Sequence, residues 1–186
     1  EWGVPEYNSR ALWEKLTLEA FQAGLSWITI LKKRENFRKA FAGFDPNLIA
    51  DWGTDQVENL LQDSGIIRHR GKIEATIGNA KAWQNIESAQ GFDHFLWRYV
   101  DHKPIINAWA SLSEVPAQTP LSQQISRDLK AAGFNRKMYV LPTTEENDKG
   151  EKKTSKKEKK TTVTDDFFAE ISKNTDHLGD LSRNQQ

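Results

Sequence analysis

Cysteine is absent from all 186 residues of the sequence. Without thiols, the chain forms no disulfide bond and no thiolate metal site, and it has no cysteine nucleophile. Long apolar runs are also missing: no stretch approaches the roughly 18 apolar residues of a membrane-spanning helix, and no basic-then-apolar leader opens the chain. We therefore expect no membrane association and a cytoplasmic location.

The sequence also lacks an excess of charge of either sign, since 26 basic residues face 26 acidic ones. A balanced total does not decide for or against a nucleic-acid partner, because binding depends on where the basic residues lie. The four histidines do not show metal-ligand spacing. Glycine-rich phosphate loops of the common types and a Gly-x-Ser-x-Gly elbow are missing as well.

Composition divides the chain into two parts. All seven tryptophans precede residue 110, whereas residues 142–164 are rich in Lys, Glu and Thr and contain almost nothing to bury. Such a stretch cannot offset the entropy of ordering it. We predict a helical domain at residues 1–135 and a disordered, polar, Lys-rich tail at residues 136–186. Because the first residue is a glutamate, we interpret the chain as a fragment.

Helical periodicity recurs throughout residues 1–135, and no stretch alternates at period two, so the domain is predicted to be all-α. Asp45-Pro46 and Thr119-Pro120 are typical helix starts, and Thr54 is a third. Helices are predicted to end at Gly65 and Gly133, to run over residues 71–86 and 92–100, and to include a short element through Leu48, Ile49 and Trp52.

The first predicted helix places Glu19 on its apolar face, in line with Leu12 and Leu16, and ends at Gly24. A buried carboxylate is costly unless it is paired, hydrogen-bonded or reserved for a ligand. The alternative is a glutamate that tilts to solvent or pairs with a lysine. Ser26 is predicted to cap the second helix, whose inner face would carry Trp27, Leu31, Phe37 and Phe41.

Acid, aromatic and basic side chains are concentrated in one helix-loop-helix, which reads EAFQAGLSWITILKKRENF from Glu19. An extruded base needs a stacking aromatic, an acceptor for its edge, and cations for the flanking phosphates. Trp27 taken alone is more often a core residue, and a basic cluster is more often a solvated face. The cluster consists of Lys32, Lys33 and Arg34.

A second basic segment lies between Gly65 and Lys72 and contains Arg68 and Arg70. Such a loop can present backbone amides and cations to a phosphate. A simple interhelical turn with exposed charge is the alternative. With the cluster at residues 32–34, these residues form the predicted DNA-binding set.

Two blocks, EWGVPEYNSRALWEKLTLEAFQAGLSWITILKKRENFRKAF and DSGIIRHRGKIEATIGNAKA, resemble the bacterial DNA-3-methyladenine glycosylase I family, and TPLSQQISRDLKAAGFN extends the similarity. The resemblance covers most of residues 1–135. It implies a helix-hairpin-helix DNA glycosylase domain that acts, as a monomer in the bacterial cytoplasm, on double-stranded alkylated DNA. The implied reaction is hydrolysis of the N-glycosidic bond of 3-methyladenine.

The resemblance also implies roles for individual residues. Glu19 matches the glutamate that hydrogen-bonds the flipped base, and we treat it as the catalytic-site residue. Trp27 matches the tryptophan stacked in that pocket, and Leu25 matches the region near the gap left by the flipped nucleotide. The family lacks the catalytic aspartate of its superfamily, so none is nominated here.

The sequence departs from the family at both ends. Family members carry an earlier segment with pocket tyrosines, a cysteine and a histidine, and a second histidine–cysteine zinc pair near the C-terminus. Here the sequence diverges after Asn135, so the family's structural zinc and the second hairpin helix are expected to be lost, leaving no cofactor and an incomplete domain. Two alternatives to a working glycosylase stay open: an inactive DNA-binding remnant, and a Lys-rich tail that serves as an interaction module.

Overall fold

The computed structural model describes residues 4–105, 116 and 118–135, so the predicted tail at residues 136–186 lies outside the described residues. Within the described part, the chain forms α-helices and no strand, which confirms the all-α prediction. None of the helices in this part is long and apolar enough to cross a bilayer. The helices are α1 Ser9–Gln22, α2 Trp27–Ala40, α3 Pro46–Ile49, α4 Thr54–Gln62, α5 Arg70–Gln90, α6 Phe92–Trp97 and α7 Pro120–Ala131, with 3₁₀ turns at Ala42–Phe44 and Arg98–Val100.

Helix ends follow the local chemistry of the sequence. Asp45 caps α3 by accepting a hydrogen bond from the Asn47 amide at 3.0 Å, and Thr119 caps α7 by accepting one from the Ser122 amide at 3.0 Å. A capping oxygen satisfies one of the amides that a helix start leaves without a partner. At the other end, Gly24 has a φ of +85°, a left-handed conformation that suits glycine and ends α1 as predicted.

Other boundaries and faces differ from the prediction. The α4 helix ends at Gln62 rather than Gly65, and α5 extends to Gln90. On α2, Leu31 is 46% exposed while Ile30 and Phe37 are fully buried. Ile30 and Phe37 are two helical turns apart and share a face, whereas Leu31 lies about 100° further around the helix. On α3, Ile49 is fully buried, whereas Leu48 is 57% exposed.

The central element is α1, which packs against α2, α5 and α6. Its buried residues surround the helix instead of forming one stripe, so almost every side chain from Leu12 onward is enclosed. A helix that is enclosed on all sides fixes its side chains through packing in every direction. The buried residues are Leu12, Trp13, Leu16, Thr17, Leu18, Glu19, Ala20 and Phe21.

Two aromatic clusters flank α1 and tie distant parts of the chain to it. Near its carboxyl end, Phe21 packs against Phe37 of α2 with ring centroids 4.8 Å apart. Near its start, Trp13 meets Phe134 edge-to-face at 6.3 Å, and Phe134 stacks on Phe92 at 5.9 Å. Offset and edge-to-face pairs add to the stabilisation that apolar burial provides. These contacts hold α2, α6 and the segment after α7 against α1.

Candidate active site

Glu19 lies in the last turn of α1 and is only 4% exposed. It lies on the same side of α1 as the buried residues Leu12 and Leu16, as the spacing predicted. The solvent-facing alternative is therefore wrong. An ionised carboxylate in such surroundings is expensive to keep unless its charge serves an interaction. Its burial makes Glu19 the leading candidate for recognising a bound group.

The loop after α1 is short and internally braced. The Leu25 amide donates to the Gln22 carbonyl at 2.7 Å, and the Gln22 side-chain amide donates to the Leu25 carbonyl at 2.8 Å. Sequence reasoning missed the role of Gln22 because nothing in its spacing distinguishes it from a surface residue. Leu25 is 38% exposed at this tight turn. The loop thus holds an apolar side chain in solvent on a fixed backbone.

Trp27 is the first residue of α2, and its side chain is partly buried against the hydrophobic core. The side chain is therefore neither fully enclosed nor fully exposed. The core and pocket interpretations of Trp27 are therefore compatible. Glu19 and Trp27 flank the same loop, one on each side of Leu25 along the chain.

The predicted basic cluster separates into three different environments. Lys32 is exposed and makes no hydrogen bond or ion pair with the described residues. Lys33 donates its ammonium hydrogens to the Ser64 carbonyl at 2.8 Å and the Gly65 carbonyl at 3.2 Å. Arg34 pairs with Glu14 at 2.8 Å. Only Lys32 of this cluster is available to a phosphate without breaking an intramolecular bond.

The second basic segment is divided in the same way. Arg68 is exposed in the loop before α5 and makes no hydrogen bond or ion pair with the part of the chain that the structure describes. Arg70 pairs with Glu58 at 2.7 Å and with Glu74 at 3.7 Å. These Arg70 pairs are largely solvent-exposed and therefore weak. Arg68 is therefore the arginine of this segment that can meet a phosphate without giving up an ion pair with the described residues.

Lys72 takes a position that the sequence did not reveal. Its ammonium donates to the Phe21 carbonyl at 2.8 Å and to the Ala23 carbonyl at 2.7 Å, at the carboxyl end of α1. Burial lowers the pKa of Lys72 to about 8 from an ordinary value of 10.5. A cation suits this position because the carboxyl end of a helix carries partial negative charge. The prediction that Lys72 contacts phosphate competes with these two bonds.

A cleft of about 360 Å³ lies between α4 and α5 and has Trp52, Arg70, Glu74 and Lys81 among its lining residues. Neither Glu19 nor Trp27 lines it. This cleft is therefore separate from the site that the sequence predicts for a base.

The zinc site implied by the resemblance has no counterpart in the described residues. Within residues 4–105, 116 and 118–135, no group of three or more histidine, aspartate or glutamate side chains is placed to hold a metal ion. The sequence supplies no cysteine for a histidine–cysteine pair. The described residues do not form a site for that metal, and no step of the reaction is assigned to it.

Comparison with known proteins decides the family. The sequence model of the methyladenine glycosylase family matches residues 1–144. The chain is 51% identical to DNA-3-methyladenine glycosylase 1 of Escherichia coli (strain K12) over 135 residues, which are 72% of each protein. The chain belongs to the methyladenine glycosylase family. Its family match reaches nine residues beyond the domain boundary predicted at 135 (144 − 135).

Solved structures support the same assignment of this methyladenine glycosylase to its family. A crystal structure of a 3-methyladenine DNA glycosylase I superposes with a TM-score of 0.76 at 44% identity, covering 92% of this chain and 82% of the other. A variant of such an enzyme, crystallised in complex with 3-methyladenine, gives a TM-score of 0.74 at 34% identity, covering 92% and 80%. The resemblance seen in the sequence, the helical glycosylase fold and the enzyme class are confirmed.

Proposed function

We propose that this methyladenine glycosylase hydrolyses the N-glycosidic bond of 3-methyladenine in alkylated double-stranded DNA, acting as a monomer. Glu19 and Trp27 bind the base after it has left the helix stack. The observation that carries this assignment is the burial of Glu19 at one end of a braced loop, with a half-buried Trp27 at the other. Relatives that bear the name of this activity supply the reaction class.

The site suits a cationic planar ligand. Methylation at N3 gives the adenine a positive charge while it is attached to the sugar. A carboxylate attracts that charge strongly when water is excluded, and an aromatic face adds a cation–π contribution. Unmodified bases are neutral and gain neither term. Glu19 and Trp27 together therefore select the damaged base by charge.

The charge of the base also explains how a site without a catalytic aspartate can work. When the bond between N9 and C1′ breaks, the base takes the electron pair and leaves as a neutral molecule. A water oxygen bonds to C1′, and the second hydrogen of that water leaves as a proton. The leaving group needs no protonation, so the protein has to bind, orient and enclose the nucleotide. Glu19 acts in recognition and is not required as a general base.

Leu25 has the position and character of a residue that replaces the flipped nucleotide. Its side chain is apolar and partly exposed, and its backbone is fixed by the two bonds with Gln22. An apolar wedge between base pairs offsets part of the stacking that is lost when a base leaves the duplex. Leu25 thus stabilises the gap while Glu19 and Trp27 hold the base.

The first test is Glu19→Gln, which keeps the size and a carbonyl acceptor but removes the charge. We expect release of 3-methyladenine from methylated DNA to fall by about 10- to 100-fold, the effect of losing one charge-assisted hydrogen bond. Single-turnover assays that quantify free base provide the measurement. Circular dichroism establishes that each protein is folded.

Glu35→Gln is the matched control, because the carboxylate of Glu35 is on α2 with its side chain 72% exposed. It should release base at the parent rate. Equal rates of base release in Glu19→Gln and the parent would show that Glu19 does not take part in recognition. A folded parent that binds DNA in a salt-dependent manner and releases no base would instead identify a DNA-binding remnant.

A further inference from the structure

Two lysines of the predicted DNA-binding set, Lys33 and Lys72, connect two loops. Each lysine follows one of the loops along the chain and binds the other. Lys33 follows the loop at residues 23–26 and reaches across to the carbonyls of Ser64 and Gly65. Lys72 follows the loop at residues 63–69 and reaches back to the carbonyls of Phe21 and Ala23. Each lysine therefore binds the backbone of the other loop.

The close packing of these segments supports the arrangement independently of the lysines. A Cβ added to Gly65 would lie 3.2 Å from the side chain of Asn36 on α2 and 2.9 Å from Asp63. The Asn36 side-chain amide also points to the Gly65 carbonyl at 3.5 Å. Close approach of this kind favours glycine because any side chain would push the loop away from α2.

We propose that Lys33 and Lys72, with the four carbonyls they bind, form a lysine clasp that positions the base-recognition loop. Both are positioning residues and neither contacts a DNA phosphate. The Ala23 carbonyl is two residues from Leu25, and Lys33 is on the helix that begins with Trp27. The clasp therefore fixes the side chains that flank the flipped nucleotide.

The energetics favour positioning over phosphate binding for these two ammonium groups. Each of the two lysines already donates to two carbonyls, and hydrogen bonds from an ammonium are charge-assisted. A lysine that turned to a phosphate would leave two carbonyls without these donors. Lys32 can meet DNA without that loss, because it makes no hydrogen bond or ion pair with the described residues.

This inference rests on the proposed function for its effect on base release, but the clasp itself can be tested without activity. Hydrogen–deuterium exchange is measured on the full chain and on Lys72→Met and Lys33→Met. We expect exchange to accelerate about tenfold or more at residues 22–28 in Lys72→Met, and at residues 63–68 in Lys33→Met. Lys39→Met on α2 and Lys81→Met on α5 are exposed-lysine controls and should leave both loops unchanged.

Salt dependence of DNA binding separates the clasp from phosphate contact. A lysine that neutralises a phosphate contributes about 0.9 to the slope of log K against log salt concentration. We expect the slope to be unchanged in Lys72→Met and Lys33→Met, while single-turnover base release falls by about 10- to 100-fold, as for a misplaced recognition group. If Lys72→Met does not fold, Lys33→Met tests the same proposal from the opposite loop.

Unchanged exchange of both loops in folded variants would overturn the clasp. A slope reduced by about one unit for each variant would also overturn it, because it would identify both lysines as phosphate ligands. A parent that releases no base contradicts the proposed function alone, since the exchange and salt measurements still report on the clasp.

Discussion

Glu14 and Glu19 are five residues apart on α1 and have different neighbours. The Glu14 side chain is 13% exposed and accepts hydrogen bonds from Arg34 and Arg38 at 2.8 and 2.9 Å, whereas Glu19 is 4% exposed and lies on the same side of the helix as two buried leucines. The sequence could place Glu19 on the buried side of α1 because helical periodicity depends only on spacing along one helix. The side of the helix therefore decides which carboxylate meets the arginines of α2 and which lies among core residues.

The partners of the basic residues could not be predicted in this way. The sequence shows that Lys72 is positively charged, but its acceptors are backbone carbonyls 51 and 49 residues away along the chain. Every residue has such a carbonyl, so no residue type marks the partner in the sequence. The acceptors of Lys33 could not be predicted for the same reason, because they are carbonyls 31 and 32 residues away. Charge clusters therefore predicted a DNA interface where the structure also shows intramolecular bonds.

The pKa of Lys72 makes a prediction for stability. The folded chain releases this proton near pH 8, whereas the unfolded chain keeps it up to about 10.5, so the unfolded state holds more protons between these values. The free energy of unfolding of the parent, measured relative to Lys72→Met, should therefore rise from pH 7.5 to 10.5, by about 1 kcal/mol because solvent screens this partly exposed side chain. Urea unfolding at intervals of half a pH unit measures this difference.

The neutral amine still has two hydrogens for the two carbonyls, so the bonds at Phe21 and Ala23 persist as the charge is lost. Below about pH 7.5 the lysine is protonated in both states, and the relative stability should stay constant. A difference that declines with increasing pH would show that the folded state stabilises the ammonium more than water does.

At the scale of helices, the ends were easier to predict than the faces. Proline and capping residues at Asp45-Pro46 and Thr119-Pro120 act within one turn, so their effect is local and readable. The buried face of α2 depends on where α1 lies, which the sequence of α2 does not contain. The prediction therefore chose Leu31 where the structure buries Ile30.

The N-cap residues of α1 and α2, which are helices of equal length, provide a prediction at this scale. Asn8 caps α1 by accepting from the Ala11 amide at 2.9 Å, while Ser26 at the start of α2 makes no capping bond. Asn8→Ala should lower the free energy of unfolding by about 1 kcal/mol, and Ser26→Ala by only a few tenths. Chemical denaturation of both variants measures the contrast. Equal losses of unfolding free energy in the two variants would mean that the hydrogen bond of the Asn8 side chain adds no stability.

For the whole molecule, zero net charge means that attraction to DNA comes from local arrangement. Lys32 and Arg68 are exposed cations without hydrogen bonds or ion pairs to the residues that the structure describes. Lys32→Ala and Arg68→Ala should each weaken binding to methylated and undamaged DNA alike, and should each reduce the salt slope by about 0.9. Fluorescence anisotropy over a salt series provides the measurement, with Lys81→Ala as the control. Slopes equal to that of the parent would exclude both residues from the phosphate interface.

The enclosure of α1 also restricts how this enzyme can evolve. Because Glu19 is on the helix that α2, α5 and α6 surround, the proposed recognition acid cannot be moved without repacking the core. Random substitutions in α1 will mostly be lost through destabilisation before they can alter base preference. New specificity is therefore more accessible through Leu25 and the exposed start of α2, where a side chain can change while the core stays intact.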